Sequence, residues 1–450
     1  MDTQDAVKKT SDFIRNSATL KIFSIGFIVL LLLIPTSMIS SLMRERQARR
    51  NSVIREINQK WGNSQIITGP FFTVPYKTSY KDQNNKIKYR IQYLHILPEK
   101  LNIFGKVNHE IRYRSLYEAV LYNTVLTIKG NFTIPSLNQL NIIPGNILWD
   151  KALFSIGITD MRGIKENIAI TFNKKNYRAE PGLKTNDIAA SGVMAAIPLS
   201  YSLKSYNFSF NLNLNGSGAL HFTPLGEVTR VELTSDWPSP SFNGSFLPVK
   251  REISRDGFSA DWRILHLNRN YPQYWTCNHY KVNHSSFGLK LLIVANVYQK
   301  SMRLSKYGIM FIIFTFAAFF FSEIINGKRV HPIQYILIGL AIILFYVLLL
   351  SISEHMNFDL SYILSSSAIT ILITGYSKGI LKNNYFTFTL FGILVVLYSY
   401  LYIVLQLEDY ALIMGSTGLF IVLGSIMYIT RKIDWYALND NNDKNMTAPE

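Results

Sequence analysis

Four titratable side chains stand at the ends of long apolar runs: Glu323, His331, Glu354 and His355. An ionisable residue at the edge of a membrane-crossing segment is a functional candidate, because its charge is costly there. An adjacent carboxylate and imidazole, as in Glu354-His355, can relay a proton or respond to pH near neutrality. The plainer expectation is that Glu323 pairs with the Lys328, Arg329 and His331 that follow it, and that Glu354-His355 is a polar cap at the interface. Glu323 lies 16 residues after Tyr307, where its run begins, or about 24 Å along a helix. Glu323 and Glu354 therefore belong to opposite ends, and a two-carboxylate active site is not supported.

A second set is cationic. Arg251, Arg255 and Arg263 follow Trp237-Pro238-Ser239-Pro240, a block flanked by Phe242, Phe246, Phe258 and Trp262. Two prolines remove ladder donors, so the block is not a central strand. It reads as a loop plugged onto a core by its rings. Read as a groove instead, it would turn the three arginines toward an anionic ligand. Cys277, His279 and His284 have the composition of a soft-metal set but a spacing that matches no zinc pattern, so no metal and no cofactor is expected. The chain has no phosphate-binding loop, no GxSxG elbow and no HExxH, and without a catalytic motif it is not expected to be an enzyme.

The elements that must hold these residues are mostly apolar. Of 450 residues, 48% are hydrophobic and only 17% charged, well under the roughly 25% charge of a soluble domain. A lone cysteine, Cys277, excludes an intramolecular disulfide. Runs of about 17–25 apolar residues can cross a bilayer as helices, and six are present, at 22–43, 307–325, 333–352, 360–376, 386–405 and 410–429. The first is read as an uncleaved signal anchor, since its run is longer than a signal-peptide core and no small-x-small site precedes Arg44. Gly415, Gly418 and Gly424 are expected to let the last helix pack closely on a neighbour. Tyr398, Tyr400 and Tyr402 are expected in an interfacial aromatic belt.

Basic residues in short loops mark the cytoplasmic side. Lys328 and Arg329, Lys378 and Lys382, and Arg431 and Lys432 fall on one side, while the opposite loops carry Glu354, Asp359, Glu408 and Asp409. Arg44, Arg46, Arg49, Arg50 and Arg55 oppose this assignment, but a long domain translocates largely regardless of charge. The sequence thus divides into a cytoplasmic segment 1–21, the anchor, an outer domain 44–306, a five-helix bundle 307–429 and a cytoplasmic tail 430–450. Residues 44–306 hold 35 Lys and Arg against 17 Asp and Glu, whereas the rest of the chain holds 11 against 12. That field favours anionic partners: phospholipid, lipopolysaccharide or an acidic wall polymer. Nucleic acid, the usual partner of a basic domain, would lie in the wrong compartment.

Within 44–306 the stretch 44–60 reads as a short surface helix continuing from the anchor. Beyond Gly62, short apolar runs alternate with Asn, Gly and Pro. From Asn207 to Asn215 apolar and polar residues alternate strictly, the signature of a half-buried strand. Asn215-Gly216 then signals a hairpin returning through Leu220-His221-Phe222. Thr127–Ile134, Asn167–Asn173 and Val228–Thr234 read similarly. The expected fold is a polytopic α-helical membrane protein, one plus five spans, with a large inserted, mostly antiparallel, sandwich-like β domain on the extracytoplasmic side. Whether that domain is one sandwich or two is left open.

Four stretches resemble the bacterial inner-membrane CreD family. They are Gly69-Pro70-Phe71-Phe72-Thr73-Val74-Pro75-Tyr76; Arg112-Tyr113-Arg114-Ser115-Leu116-Tyr117-Glu118; the block from Asp236 to Pro248 continuing through Gly257-Phe258-Ser259-Ala260-Asp261-Trp262; and Tyr298 to His355, with Lys306-Tyr307-Gly308 and His331-Pro332-Ile333-Gln334-Tyr335. Ser115-Leu116 departs from the family, which looks more like Gly-Ile there, and weakens the case for a tight glycine turn. The resemblance implies an inner-membrane location and a role in cell-envelope integrity and colicin tolerance, without a reaction. Two readings follow: an envelope-maintenance protein whose basic domain binds an anionic component, or a membrane enzyme or transporter acting on a lipid-linked substrate. Oligomeric state is not legible.

Overall fold

A computed structural model of the protein describes residues 18–134, 142–201, 203–292, 297–326, 330–407 and 410–431. The chain divides into two compact units, Met1–Arg49 with Ala295–Glu450, and Arg50–Val294.

The first apolar run and the charged stretch behind it form one uninterrupted helix, α1 (Ala18–Trp61), with Pro35 inside it. Its 44 residues extend about 66 Å, roughly twice a hydrocarbon core, so its arginine-rich half cannot lie within one membrane crossing. The helices that follow are α2 (Val297–Lys306), α3 (Gly308–Asn326), α4 (Pro332–Ser353), α5 (Phe358–Leu381), α6 (Asn384–Gln406) and α7 (Ala411–Thr430). Helices α1, α3, α4, α5 and α6 are long and apolar enough to cross a membrane, and α7 is apolar from Ile413 to Tyr428.

Tyr398 does not belong to a belt facing lipid headgroups. It is buried against Phe311 and Phe345, with ring centroids 4.6 and 4.9 Å away. The tyrosine face of α6 fills the gaps between helices instead, as the Tyr362 hydroxyl donating to the Tyr398 carbonyl at 2.7 Å also shows. Tyr400 donates to the Met414 carbonyl of α7. Gly418 admits that ring, because a Cβ there would lie 2.3 Å from the Tyr400 hydroxyl. Among the described residues, nothing lies within 4 Å of such a Cβ on Gly424, so it packs closely on none of them.

The second unit contains seventeen strands among the described residues. In chain order they begin β1 (Gln65–Lys81), β2 (Ile87–Ile96), β3 (Lys100–Arg114), β4 (Tyr117–Thr133), β5 (Leu153–Ile158), β6 (Ala169–Phe172), β7 (Lys175–Arg178), β8 (Glu180–Pro181) and β9 (Gly192–Ala196). They continue with β10 (Ser205–Ser217), β11 (Ala219–Thr223), β12 (Val228–Ser235), β13 (Pro240–Gly244), β14 (Lys250–Ser254), β15 (Gly257–Leu265), β16 (Tyr274–Thr276) and β17 (Phe287–Leu291). One sheet has the order β13-β17-β11-β1-β5-β9-β8, with β2 and β16 branching from β1; the other runs β14-β15-β12-β3-β4-β10-β6-β7. Among the described residues, only the β1–β11 and β3–β12 pairings are parallel. A single core joins the sheets: Phe72 of the first meets Phe132 of the second edge to face at 4.8 Å. The domain is therefore one sandwich.

The alternating run forms β10, but it does not turn at Asn215-Gly216. Both residues stay paired with β4, opposite Asn123 and Tyr122. The chain bends at Gly218, where φ is +67°, and crosses into the other sheet, where β11 pairs with β1 and β17 rather than returning along β10. Gly216 is needed for packing: a Cβ there would sit 2.3 Å from the buried Tyr122 hydroxyl. The β3–β4 hairpin closes through Ser115 and Leu116, and Ser115 takes φ +56°. A tight turn persists at the departed position, with serine held in a conformation that glycine adopts freely. The Trp-Pro-Ser-Pro block leads into β13, an edge strand that starts at Pro240, where a missing donor is tolerated. Phe242 packs edge-on against Phe258 and Trp262, and Phe246 against Phe287.

Candidate functional site

In the helical unit each candidate carboxylate meets a cation from α1. Lys21 forms an ion pair with Glu323, which is buried near the end of α3 and also accepts from the Tyr335 hydroxyl of α4 at 3.3 Å. Arg46 lies 3.6 Å from Glu354 at the end of α4, and Glu354 accepts from the Tyr298 hydroxyl of α2 at 3.3 Å. Between the two pairs α1 presses on α4: a Cβ on Gly339 would lie 2.2 Å from a Leu32 methyl. Tyr335 and Glu354 are 19 residues apart on or just beyond one helix, about 28 Å along its axis. The two carboxylates are thus fixed at opposite ends of a helix pair, each already matched by charge.

Glu323 takes a cation 302 residues earlier in the chain. Lys328 and Arg329 lie outside the described residues. His331 is the N-cap of α4: its Nδ1 accepts from the Ile333 N–H at 3.3 Å, and its own N–H donates to Gln334 Oε1 at 2.9 Å. His355 follows Glu354 on the exposed turn after α4. The structure therefore does not gather the four candidates into one site. Sequence reasoning missed Lys21 and Arg46. The available signal was that they bracket the first apolar run just as Glu323 and Glu354 mark the far ends of theirs.

In the β unit, Arg251 stands on β14, Arg255 in the turn after it and Arg263 on β15, all exposed. Arg263 pairs in register with Arg230, whose guanidinium holds Asp261 and Glu232. Cys277 follows β16 with φ +55° and donates its N–H to the Tyr93 carbonyl at 3.0 Å. The nearby His279 Nδ1 donates to the Thr276 carbonyl at 2.6 Å. Among the described residues no three His, Cys, Asp or Glu side chains gather as a metal set.

Two further polar clusters are buried in this unit. His95 is fully buried, accepts from the Thr73 hydroxyl on Nδ1 at 3.2 Å and donates from Nε2 to Asp187 at 2.9 Å. Burial pulls its pKa below the ordinary histidine value, and Asp187 opposes that pull only in part. Asp160 accepts from the Asn63 N–H at 3.0 Å, the Asn63 amide at 2.9 Å and Arg162 at 2.7 Å. Its bond to Arg162 is the main reason its pKa is held down to about 2. The Thr–His–Asp order has the polarity of a proton relay, but Phe71 and Trp275 pack their rings on the imidazole and Thr73 is itself buried. Its geometry is that of a satisfied core histidine.

A family model described as inner membrane protein CreD matches residues 17–436 of this chain. Inner membrane protein CreD of Escherichia coli (strain K12) is 34% identical over 429 residues, spanning 93% of this chain and 94% of that protein.

Proposed function

The chain belongs to the CreD family of inner membrane proteins, and from that premise we propose that it maintains the cell envelope by holding a cationic β domain on the outer side of the inner membrane, with both termini cytoplasmic. The domain engages an anionic envelope component, and the helices anchor it. The observation that carries this reading is the partition of charge: residues 44–306 hold 35 basic against 17 acidic side chains, and the remainder is close to neutral. A field of that sign attracts phosphate- and carboxylate-bearing surfaces and loses strength with salt. The basic short loops support the orientation.

The competing reading, a membrane enzyme or transporter for a lipid-linked substrate, would draw on Glu323, His331, Glu354 and His355. The two ion pairs to α1 favour an anchoring role for the carboxylates, because both are already committed to a cation within the chain. The test of the envelope reading uses the full chain in nanodiscs of zwitterionic lipid. Binding of lipopolysaccharide, anionic phospholipid vesicles and acidic wall polymer is measured from low to high salt. Binding to at least one of them that weakens steeply with salt is expected, and salt-independent or absent binding to all three overturns the reading.

A further inference from the structure

We propose that the outward face of the eight-stranded sheet holds a binding site for an acidic sugar, in a hollow framed by Lys100, Lys129 and Lys174. The proposal rests on the reading of the β domain as an anion-binding module and names the place and the ligand class. The hollow has a volume of about 750 Å³, within the range of small-ligand sites.

Its floor is four adjacent strands, β3, β4, β10 and β6. Register aligns two polar rows across them: Lys100, Asn131 and Asn207 in one, and Asn102, Lys129, Ser209 and Thr171 in the other. The alternate positions, such as Leu101, Ile128, Phe208 and Ile170, are buried in the core, so strand alternation turns both rows outward. The third lysine comes from the two-residue turn between β6 and β7. Asn173 and Lys174 there have φ of +44° and +68°, the pattern of a type I′ hairpin turn. The turn is tied to β10 by reciprocal bonds: the Asn207 N–H donates to Asn173 Oδ1 at 2.9 Å, and the Asn173 N–H donates to the Asn207 carbonyl at 3.0 Å.

The chemistry of this lining selects its ligand. The carboxamides of Asn102, Asn131, Asn173 and Asn207 donate and accept, as sugar hydroxyls require of their partners. The lysines supply point charges for a carboxylate or phosphate, and Lys129 is steadied 4.9 Å from the Phe104 ring centroid. Glu99 stands at one edge, held by Asn131 at 2.8 Å and by the Thr133 hydroxyl, and repels an anion from that side. Phe208 also borders the hollow, but its ring is buried in the core against Phe132 and Phe154. Apart from the Phe104 ring beside Lys129, the two outward rows are polar, a poor bed for an acyl chain, which favours a sugar over a phospholipid.

The test uses the full chain in zwitterionic nanodiscs and titrates three probes: tetragalacturonate, deacylated phosphorylated lipopolysaccharide core, and neutral maltotetraose. Anionic phospholipid vesicles serve as a fourth arm. Binding of one or both acidic sugars is expected, and which of them binds tells carboxylate from phosphate. The combined K100Q/K129Q/K174Q variant should weaken it about tenfold or more, the loss of several charge-assisted contacts. The charge-matched K81Q/K86Q/R90Q variant, at exposed positions on and beside the β1–β2 hairpin, should retain it. Equal binding of maltotetraose, equal binding by the two variants, or binding of vesicles alone overturns this site while leaving the anion-binding reading in place. Failure of the unsubstituted protein to bind any anionic probe overturns that reading itself.

Discussion

Lys21→Ala removes the cation facing Glu323 and leaves a carboxylate that is 8% exposed and, among the described residues, bonded to the Tyr335 phenol alone. Removing one partner of a buried pair costs about 3–5 kcal/mol, because the remaining charge is uncompensated. The Lys21 side chain keeps 23% exposure, so water already screens the pair in part, and a cost of about 2–3 kcal/mol is the value to expect. At about 1.4 kcal/mol per factor of ten, that lowers the folding equilibrium constant of the helical unit by about 30- to 140-fold. Lys21→Ala combined with Glu323→Ala leaves no orphan charge and should recover most of the loss, giving a coupling of about 1.5 kcal/mol or more. The assay is unfolding of the purified full chain by sodium dodecyl sulfate in mixed micelles, followed by helical circular dichroism. Five of the six tryptophans lie in the β unit, so fluorescence would report the wrong part. A neutral Lys21→Ala variant, or a double variant as unstable as the sum of the singles, would refute the clamp between α1 and the bundle.

Three further outcomes are expected. His95 and His221 are both held below the ordinary histidine pKa, mainly by burial, so the folded domain prefers them neutral. Their contribution is present above the unfolded value of about 6.5 and is lost as pH falls below it. Urea unfolding followed by tryptophan fluorescence should show lower stability at about pH 5.5 than at about pH 7.5, and a flatter difference in the His95→Gln/His221→Gln variant. Ser115→Gly relieves a left-handed serine and should raise the stability of the β unit by about 1 kcal/mol; a loss would mean that the hydroxyl matters more than the backbone. Asp160→Ala removes the acceptor for Asn63 and Arg162 and should lower stability by about 2–3 kcal/mol. In the parent chain the same contribution holds above about pH 4 and fades as pH falls toward the folded pKa of about 2.

The membrane elements were legible because hydrocarbon thickness sets one length for every span, and the five long helices follow those runs. The strand Asn207–Asn215 was legible from its strict alternation. Its end was not, because Asn-Gly signals a turn only when no neighbouring strand claims it, and here β4 pairs with both residues. The aromatic plugs around Trp237 were read from composition, and the edge position of Pro240 follows from its missing donor. Lys21 opposite Glu323 and Arg46 opposite Glu354 escaped notice because nothing local joins residues 302 and 308 apart in the chain. The lysine-framed hollow escaped for a related reason. Each strand contributes one or two polar residues that look like ordinary solvated positions, and only the register brings them side by side. The tyrosines of α6 show the limit of composition, since an interfacial belt and an interhelical seam use the same residues.

The placement of the β domain is tested most directly by cysteine accessibility in spheroplasts. Cys277 is the sole cysteine and only half-exposed, so it is replaced by alanine. Leu267, which is 79% exposed, is then made cysteine in one variant, and the exposed Lys378 in another. A membrane-impermeant maleimide should label Leu267→Cys in intact spheroplasts and Lys378→Cys only after lysis. Labelling of Lys378→Cys before lysis, with Leu267→Cys protected, would put the cationic domain in the cytoplasm and contradict the proposed role.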